Sequence, residues 1–362
     1  MTSPIWLVAG GTGGHLWPAA AFGQWLQARD PGARPLLLAG NRPLEREILE
    51  AAKLPWESLP LEGSPLGASG RARWDRWRGV VRAWLQCRAI LRRDRPWAAV
   101  LFGGYISLPA LGACLEARVP VLVHEQNARA GRTTRMAAAM GVPVASGWED
   151  CEPLRSGSFR YVGIPLRSMG RLQIRDAWNK LSPGVCRFRP GERHVLVLGG
   201  SLGSSFLGRQ VRRIAQLPPF RQWVFLLLGG ESEGETPENC LVWPRQWDMA
   251  PLYAGADLVI SRGGGATLAE LLLLGIPALV VPWQGALDGH QACNAAAFVK
   301  LGGGNVVQED SPPEAFEEAL FSLSQEKRRQ TTDTGPCANE RLWRELVEVV
   351  TTKGDAFHNG RR

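Results

Sequence analysis

The stretch Ser261-Arg262-Gly263-Gly264-Gly265-Ala266-Thr267-Leu268-Ala269-Glu270 decides how the rest of the chain is read. An apolar run from Ala256 to Ile260 leads into it, and Leu271 to Leu274 continues it as a helix. A strand that turns through three glycines into a helix brings backbone N–H groups to a ligand that side chains would keep away. The helix N-terminus adds partial positive charge and unpaired donors, which suit a phosphate. Glu270, one turn inside, is placed to accept two hydroxyls of a ribose. A single corner of this kind is equally well a tight turn. Its recurrence argues for a binding site.

The device recurs twice. Ile5 to Ala9 is a short buried-strand run ending in Gly10-Gly11-Thr12-Gly13-Gly14-His15, four glycines in six residues, followed by an apolar helix pattern through Trp17, Ala20, Ala21, Trp25 and Leu26. No Gly-Lys-Ser/Thr closes this loop, so it is not a Walker loop. The GxGxxG spacing fails, and the strand Pro35 to Ala39 ends in Gly40-Asn41 without a ribose-binding acid, so no dinucleotide cofactor is expected. Further on, His194 to Leu198 runs into Gly199-Gly200-Ser201-Leu202-Gly203. The chain therefore reads as two similar α/β domains.

Short apolar runs at 36–39, 98–102, 119–123 and 142–145 alternate with helix-length segments, which predicts a parallel, doubly wound sheet. Runs at 224–228, 241–242, 258–260 and 278–281 repeat the rhythm. Ligands of such sheets sit at the carboxyl ends of the strands. Gly103-Gly104-Tyr105-Ile106-Ser107 and His124-Glu125-Gln126-Asn127 follow strands and mark a binding edge, although His124, Glu125 and Asn127 also suit helix caps. Residues 163–170 read as a linker, followed by a polar helix. Gly285 to Gln291, with Asn294, reads as a polar loop opening a helix. Helix and polar loop fill 305–335, and 340–350 is a last amphipathic helix before a frayed tail from Lys353.

At 362 residues, 45% hydrophobic and 21% charged, the chain fits two folded domains. The apolar run Leu271 to Trp283 is broken by Gly275, Pro277 and Pro282, too short for a membrane span. Residues 1–7 lack the pattern of a secretory signal. Seven scattered cysteines without a CxxC pair point to reduced thiols rather than a zinc site. Residues 71–95 hold nine arginines and two acids, Asp75 and Asp94, so they carry +7 of the net +8. Trp74, Trp77, Val81, Trp84 and Leu85 recur there at helical spacing, and Arg78 lies among them. A basic helix with a tryptophan stripe suits an anionic membrane surface; the alternative is a helix packed on the sheet with its arginines in water. No nucleic-acid motif accompanies the patch, so no nucleic acid is expected.

The motifs at 10–15, 103–107, 124–127, 199–201, Asp248-Met249, 262–270 and Gln291, in that order, closely resemble the MurG family. These are the peptidoglycan enzymes that add N-acetylglucosamine to undecaprenyl-pyrophosphoryl-N-acetylmuramoyl pentapeptide (lipid I), giving lipid II. The resemblance implies a GT-B fold of two Rossmann-like domains facing across a cleft. It implies an N-terminal acceptor- and membrane-binding domain at 1–163 with the returning helix 340–352, and a UDP-sugar domain at 164–339. Glu270 would take the ribose hydroxyls, Ser201 and its loop the pyrophosphate, and Gly265-Ala266-Thr267 the α-phosphate. The backbone near Gln246 would receive uracil, and His290 and Gln291 the sugar hydroxyls. Thr12, Gly13, Gly14, Asn127 and Arg167 would complete the donor site.

No DxD pair is present to hold a metal, so UDP departure falls to helix N-termini, loop amides and arginine. The acceptor's C4 hydroxyl would invert the anomeric centre. His15 is the favoured base, because an imidazole titrates near working pH; His124 and Glu125 are alternatives between which the sequence does not choose. The expected partners are UDP-GlcNAc, lipid I and the anionic cytoplasmic face of the cell membrane, where the protein would be peripheral; no protein partner is identified by these motifs. Ile164 stands where asparagine is common, Leu202 where glutamine is common after Ser201, and His290 where glutamine is frequent. The rival readings are another GT-B glycolipid transferase, a UDP-sugar 2-epimerase, or an inactive UDP-sugar-binding scaffold at the membrane.

Overall fold

A computed structural model describes residues 3–64, 70–169, 192–200, 203–229, 235–329 and 337–359. The chain divides into two compact units. Unit 1 is residues 1–167 with 335–362, and unit 2 is residues 168–334.

Unit 1 is built on seven parallel strands: β1 (Ile5–Val8), β2 (Pro35–Ala39), β3 (Trp56–Ser58), β4 (Ala98–Leu101), β5 (Val121–Glu125), β6 (Val144–Ser146) and β7 (Arg160–Tyr161). Their order is 3-2-1-4-5-6-7, so the strand order reverses between β1 and β4. β1, β4 and β5 are buried along their whole length, as a parallel sheet covered on both faces requires. β3 and β7, which the sequence pattern does not announce, are short edge strands with polar residues. A strand made only by its neighbour's hydrogen bonds leaves no apolar run.

The helices of unit 1 are α1 (Gly13–Arg29), α2 (Pro43–Ala52), α3 (Gly70–Asp94), α4 (Ser107–Glu116), α5 (Arg132–Ala139) and the returning α11 (Ala338–Asn359). α1 buries Leu16, Ala19, Ala20, Phe22 and Leu26 almost all round, as a core helix does. α11 seats Leu342 and Leu346 in full burial and packs Trp343 against Trp97 in a tilted ring pair with centroids 5.6 Å apart. Arg341 and Asn339 of α11 also donate to the carbonyls of Val162 and Leu166. The segment 164–167 thus belongs with unit 1, four residues beyond the boundary expected from sequence. Ile164 is buried against Gly147, where any side chain on the glycine would collide with it, so the residue that departs from the family pattern is a core residue here.

Unit 2 repeats the plan with six parallel strands: β8 (Arg193–Leu198), β9 (Trp223–Leu228), β10 (Cys240–Trp243), β11 (Leu258–Ser261), β12 (Ala278–Val280) and β13 (Gly304–Val306). Their order, β10-β9-β8-β11-β12-β13, reverses between β8 and β11. Its helices are α6 (Ser205–Ala215), α7 (Ala250–Gly255), α8 (Gly265–Leu274), α9 (His290–Lys300) and α10 (Pro313–Ser324). β13 lies in a segment read from sequence as helix and loop. Gly304 there adopts φ +149° and passes so close to Ala278 that a Cβ would strike its carbonyl, so only glycine lets this edge pair. The polar helix expected after the linker lies at 170–191, outside the described residues.

α3 divides the expected tryptophan stripe. Val80, Ala83, Cys87, Ile90 and Leu91 face the core. Trp84 packs with them, its ring over Gly112 of α4, and Arg88 lies 4.7 Å above the ring. Trp74, Trp77, Val81 and Leu85 form a second stripe on the exposed side, 73%, 38%, 52% and 50% accessible respectively. Trp84 therefore leaves the proposed docking set: three residues after Val81 it stops about 60° short of a full turn, which rotates it towards the buried flank of Val80 and Leu91. Among the described residues no helix is long and apolar enough to cross a membrane.

Candidate active site

In each unit the glycine corners meet at the point where strand order reverses, which is where doubly wound sheets bind ligands. In unit 1, Gly10-Gly11 leaves β1 and Gly103-Gly104 leaves β4. Gly104 takes φ +81°, and a Cβ there would sit 2.1 Å from the Gly10 carbonyl, so the two loops touch backbone to backbone. Glu45, fully buried on α2, fastens this corner. Its Oε1 accepts the Gly11 N–H at 2.7 Å, and its Oε2 accepts the Arg42 N–H at 3.0 Å and the Tyr105 hydroxyl at 2.7 Å. The only sequence signal for Glu45 is its place three residues after Arg42, at the third position of a helix opened by Pro43.

Thr12, Gly13, Gly14 and His15 make the first turn of α1, with Thr12 at its cap. One turn on, the guanidinium of Arg167 lies 4.2 Å over the Trp17 ring, which brings it to the same helix end. His15 is half-buried, its ring lies against Gly103, and its Nδ1 meets Gln126 Oε1 at 2.8 Å.

The two alternative bases sit differently. His124 is fully buried, with Nε2 2.8 Å from the Gly163 carbonyl and Nδ1 3.0 Å from Gln126 Nε2. Burial holds its pKa down at about 4, against a weaker upward pull from the Gly163 hydrogen bond, so it is neutral at working pH. Glu125 has two donors on each oxygen. Oε1 accepts the N–H and side-chain amide of Asn127, and Oε2 accepts the Gly131 N–H and the Thr134 hydroxyl, all between 2.6 and 3.0 Å. It anchors the loop that carries Asn127. Neither side chain has the exposed lone pair that a base for an incoming hydroxyl requires.

In unit 2 the corner after β11 opens α8, whose first turn is Gly265, Ala266 and Thr267 with no acidic residue among them. Gly263 is gripped on both sides of its peptide: Gln291 Oε1 accepts its N–H at 3.1 Å and Asn294 Nδ2 donates to its carbonyl at 2.9 Å. The same Gln291 oxygen accepts the Trp283 N–H at 2.9 Å, so this amide oxygen braces two loops. Asn294 is fully buried, and its position one turn after Gln291 is the sequence signal for a shared role.

Arg262 is a second brace. Its guanidinium pairs with Glu309 at 2.6 Å, donates to Ser204 Oγ at 2.8 Å and donates to the Val281 carbonyl at 3.1 Å. It thereby ties together the loops that follow β8, β11, β12 and β13. Glu309, distant in sequence and in an unremarkable polar stretch, gives no sequence signal. Glu270 is 6% exposed, and Tyr253 donates to its Oε2 at 2.6 Å. Gln246 is half-exposed in the loop between β10 and α7, His290 starts α9, and Ser201 and Leu202 lie outside the described residues.

The Glycosyltransferase family 28 N-terminal domain matches residues 5–142, and the Glycosyltransferase family 28 C-terminal domain matches residues 194–341. A UDP-N-acetylglucosamine--N-acetylmuramyl-(pentapeptide) pyrophosphoryl-undecaprenol N-acetylglucosamine transferase of Alkalilimnicola ehrlichii is 36% identical over 317 residues, covering 84% of this chain and 85% of its own. A protein of the same name from Halorhodospira halophila is 35% identical over 338 residues, covering 89% and 90%. The crystal structure of Acinetobacter baumannii MurG superposes with a TM-score of 0.65 at 22% identity, covering 98% of this chain and 99% of its own. The glycosyltransferase of kitacinnamycin does so at 0.63 and 18%, covering 98% and 96%. These two likenesses carry the fold alone, and that fold, two Rossmann-like units of parallel sheet, is GT-B. With both domains matched in order and relatives above 30% identity along most of their length, the chain belongs to glycosyltransferase family 28 and, within it, to the MurG family.

Proposed function

We propose that this protein transfers N-acetylglucosamine from UDP-GlcNAc to the C4 hydroxyl of lipid I, forming lipid II. The observation that carries the reading is identity of 31–36%, over 83% or more of the chain, with eight relatives that all bear the name of this transferase.

Unit 2 is the donor side. Glu270 accepts the ribose diol, and uracil rests on the backbone near Gln246. The α-phosphate meets the amides of Gly265, Ala266 and Thr267, and the second phosphate meets the loop at Gly199, Gly200 and Ser201. A helix start without a first-turn acid, beside Gly263, where a Cβ would strike the Gln291 carbonyl, supports this placement. The sugar faces His290 and the side-chain amide of Gln291.

Unit 1 supplies the acceptor side, while its Thr12, Gly13, Gly14, Asn127 and Arg167 complete the donor site near the reacting sugar. His15 Nε2 takes the proton of the C4 hydroxyl as that oxygen attacks the anomeric carbon. The bond from that carbon to the phosphate oxygen breaks on the opposite face, inverting α to β. The charge that grows on UDP is met by preorganised amides. The protein works as a peripheral enzyme on the cytoplasmic face of the membrane. The exposed stripe Trp74, Trp77, Val81 and Leu85, beside Arg78 and Arg82, supports docking on anionic lipid.

The test is direct. Purified protein is incubated with labelled UDP-GlcNAc and a lipid I analogue, with other UDP-sugars as controls. Transfer from UDP-GlcNAc to the acceptor is expected. Free-sugar release without transfer, or equal use of another UDP-sugar, refutes the proposal.

A further inference from the structure

Between β5 and the first turn of α1 the polar contacts form one continuous line, from His15 through Gln126 and His124 to the carbonyl of Gly163. The direction of every hydrogen bond along it is set by groups that can act in only one way. The Gly163 carbonyl only accepts, so the facing His124 Nε2 carries a proton. Burial keeps His124 neutral, so its Nδ1 is an acceptor. Gln126 presents one end of its amide to that Nδ1 and to the His124 carbonyl, both at 3.0 Å. A backbone carbonyl cannot donate, so this end is the amino group, and the opposite end, facing His15, is the carbonyl oxygen. Gln126 is 2% exposed, which leaves no water to compensate a reversed amide.

We infer that Gln126 is a positioning residue that fixes His15 as its Nδ1–H tautomer, leaving the Nε2 lone pair as the basic atom. The second ring nitrogen of a catalytic imidazole is commonly held this way, since its partner decides which nitrogen is bare. Here the partner is an uncharged amide, and a buried second histidine holds the amide. Gly103 completes the arrangement: it takes φ +94°, and a Cβ there would come within 3.2 Å of the His15 ring and crowd it. The functional consequence rests on His15 as the base; the tautomer itself does not.

The test separates the two. Uniformly ¹⁵N-labelled full-length protein is examined by imidazole ¹⁵N NMR, with His15→Gln used to assign the ring among five histidines. At a pH where the ring is neutral, wild-type His15 is expected to show a protonated Nδ1 and a bare Nε2. A protonated Nε2 overturns the inference outright, and this needs no variant that might misfold. In Gln126→Leu the ring is expected to become a mixture of tautomers. In His124→Phe the carbonyl of residue 124 still accepts from the Gln126 amino group, so the wild-type tautomer is expected to be kept; an unchanged His15 tautomer in Gln126→Leu refutes the control by Gln126. With a lipid I analogue, Gln126→Leu is expected to lower kcat several-fold at a KM near that of the wild type, while a rise in KM at unchanged kcat contradicts a positioning role. Should the tautomer be as stated while His15→Ala retains full turnover, the base assignment fails and the tautomer inference stands.

Discussion

His124 offers a measurement of how strongly the interior of unit 1 resists a charge. Burial depresses its pKa from 6.5 to about 4. A group whose pKa is lower in the folded than in the unfolded protein contributes stability above its unfolded pKa, and that contribution disappears as pH falls towards the folded value. The window therefore runs from about pH 6.5 down to about pH 4. A shift of roughly 2.5 pKa units at about 1.36 kcal/mol each corresponds to about 3 kcal/mol lost across it.

The comparison is with His124→Phe, which keeps an aromatic ring beside Phe102, 5.4 Å away in the wild type, and abolishes the titration. At about pH 7 the variant should be less stable by about 1–3 kcal/mol, the cost of leaving the Gly163 carbonyl without its donor and the Gln126 amino group with one of its two acceptors gone. Towards about pH 4 that deficit should vanish or reverse, because only the wild type is forced to charge a buried ring. Carboxylates titrating in the same range are common to both proteins and cancel. Hydrogen exchange of the β5 amides, followed from about pH 4 to about pH 7 and corrected for intrinsic rates, reports unit 1 without interference from unit 2. A stability difference that stays constant within about 0.5 kcal/mol over this range would refute the reasoning, since it would mean that His124 reaches water or a counter-charge.

Glu270→Gln, close to isosteric, should weaken UDP binding by roughly a hundredfold in calorimetry, because two charge-assisted hydrogen bonds to the ribose are lost; unchanged affinity would remove the ribose from Glu270. Glu125→Ala strands four donors and should lower the unfolding midpoint by about 5–10 °C; a collapse of kcat with the midpoint intact would instead make Glu125 the base. Replacing Trp74 and Trp77 with serine should reduce partition onto anionic vesicles at least about tenfold, whereas Trp84→Ser should cost stability and leave vesicle binding intact. Cys337 is exposed and should be alkylated in the native protein. Cys87, Cys151 and Cys240, buried and each pushed up to about 12 by desolvation, should react only after unfolding, and early labelling of Cys87 would contradict the packing of α3.

Two parallel-sheet units, their glycine corners and the order of the motifs were legible in the sequence because they depend on local pattern. Apolar runs make buried strands, and glycine marks places where the backbone itself must come close. Roles assigned to glycines and helix starts are carried by main chain, which local sequence largely specifies. What tertiary structure alone decided is which polar side chains are committed elsewhere. His124, Glu125 and the oxygen of Gln291 all sit at the carboxyl edge, as their positions in sequence suggest, yet each is spent on a neighbour. Their partners, Gly163, Thr134 and Gly263, lie 9 to 39 residues away. Glu45 and Glu309 entered for the converse reason: Glu309 has no local mark, and the helix-start position of Glu45 marks a cap, not a carboxylate that will be carried to a glycine loop. The stripe on α3 followed the same rule, since spacing fixed a helix with apolar positions on two flanks, and only the sheet beneath it chose which flank to cover.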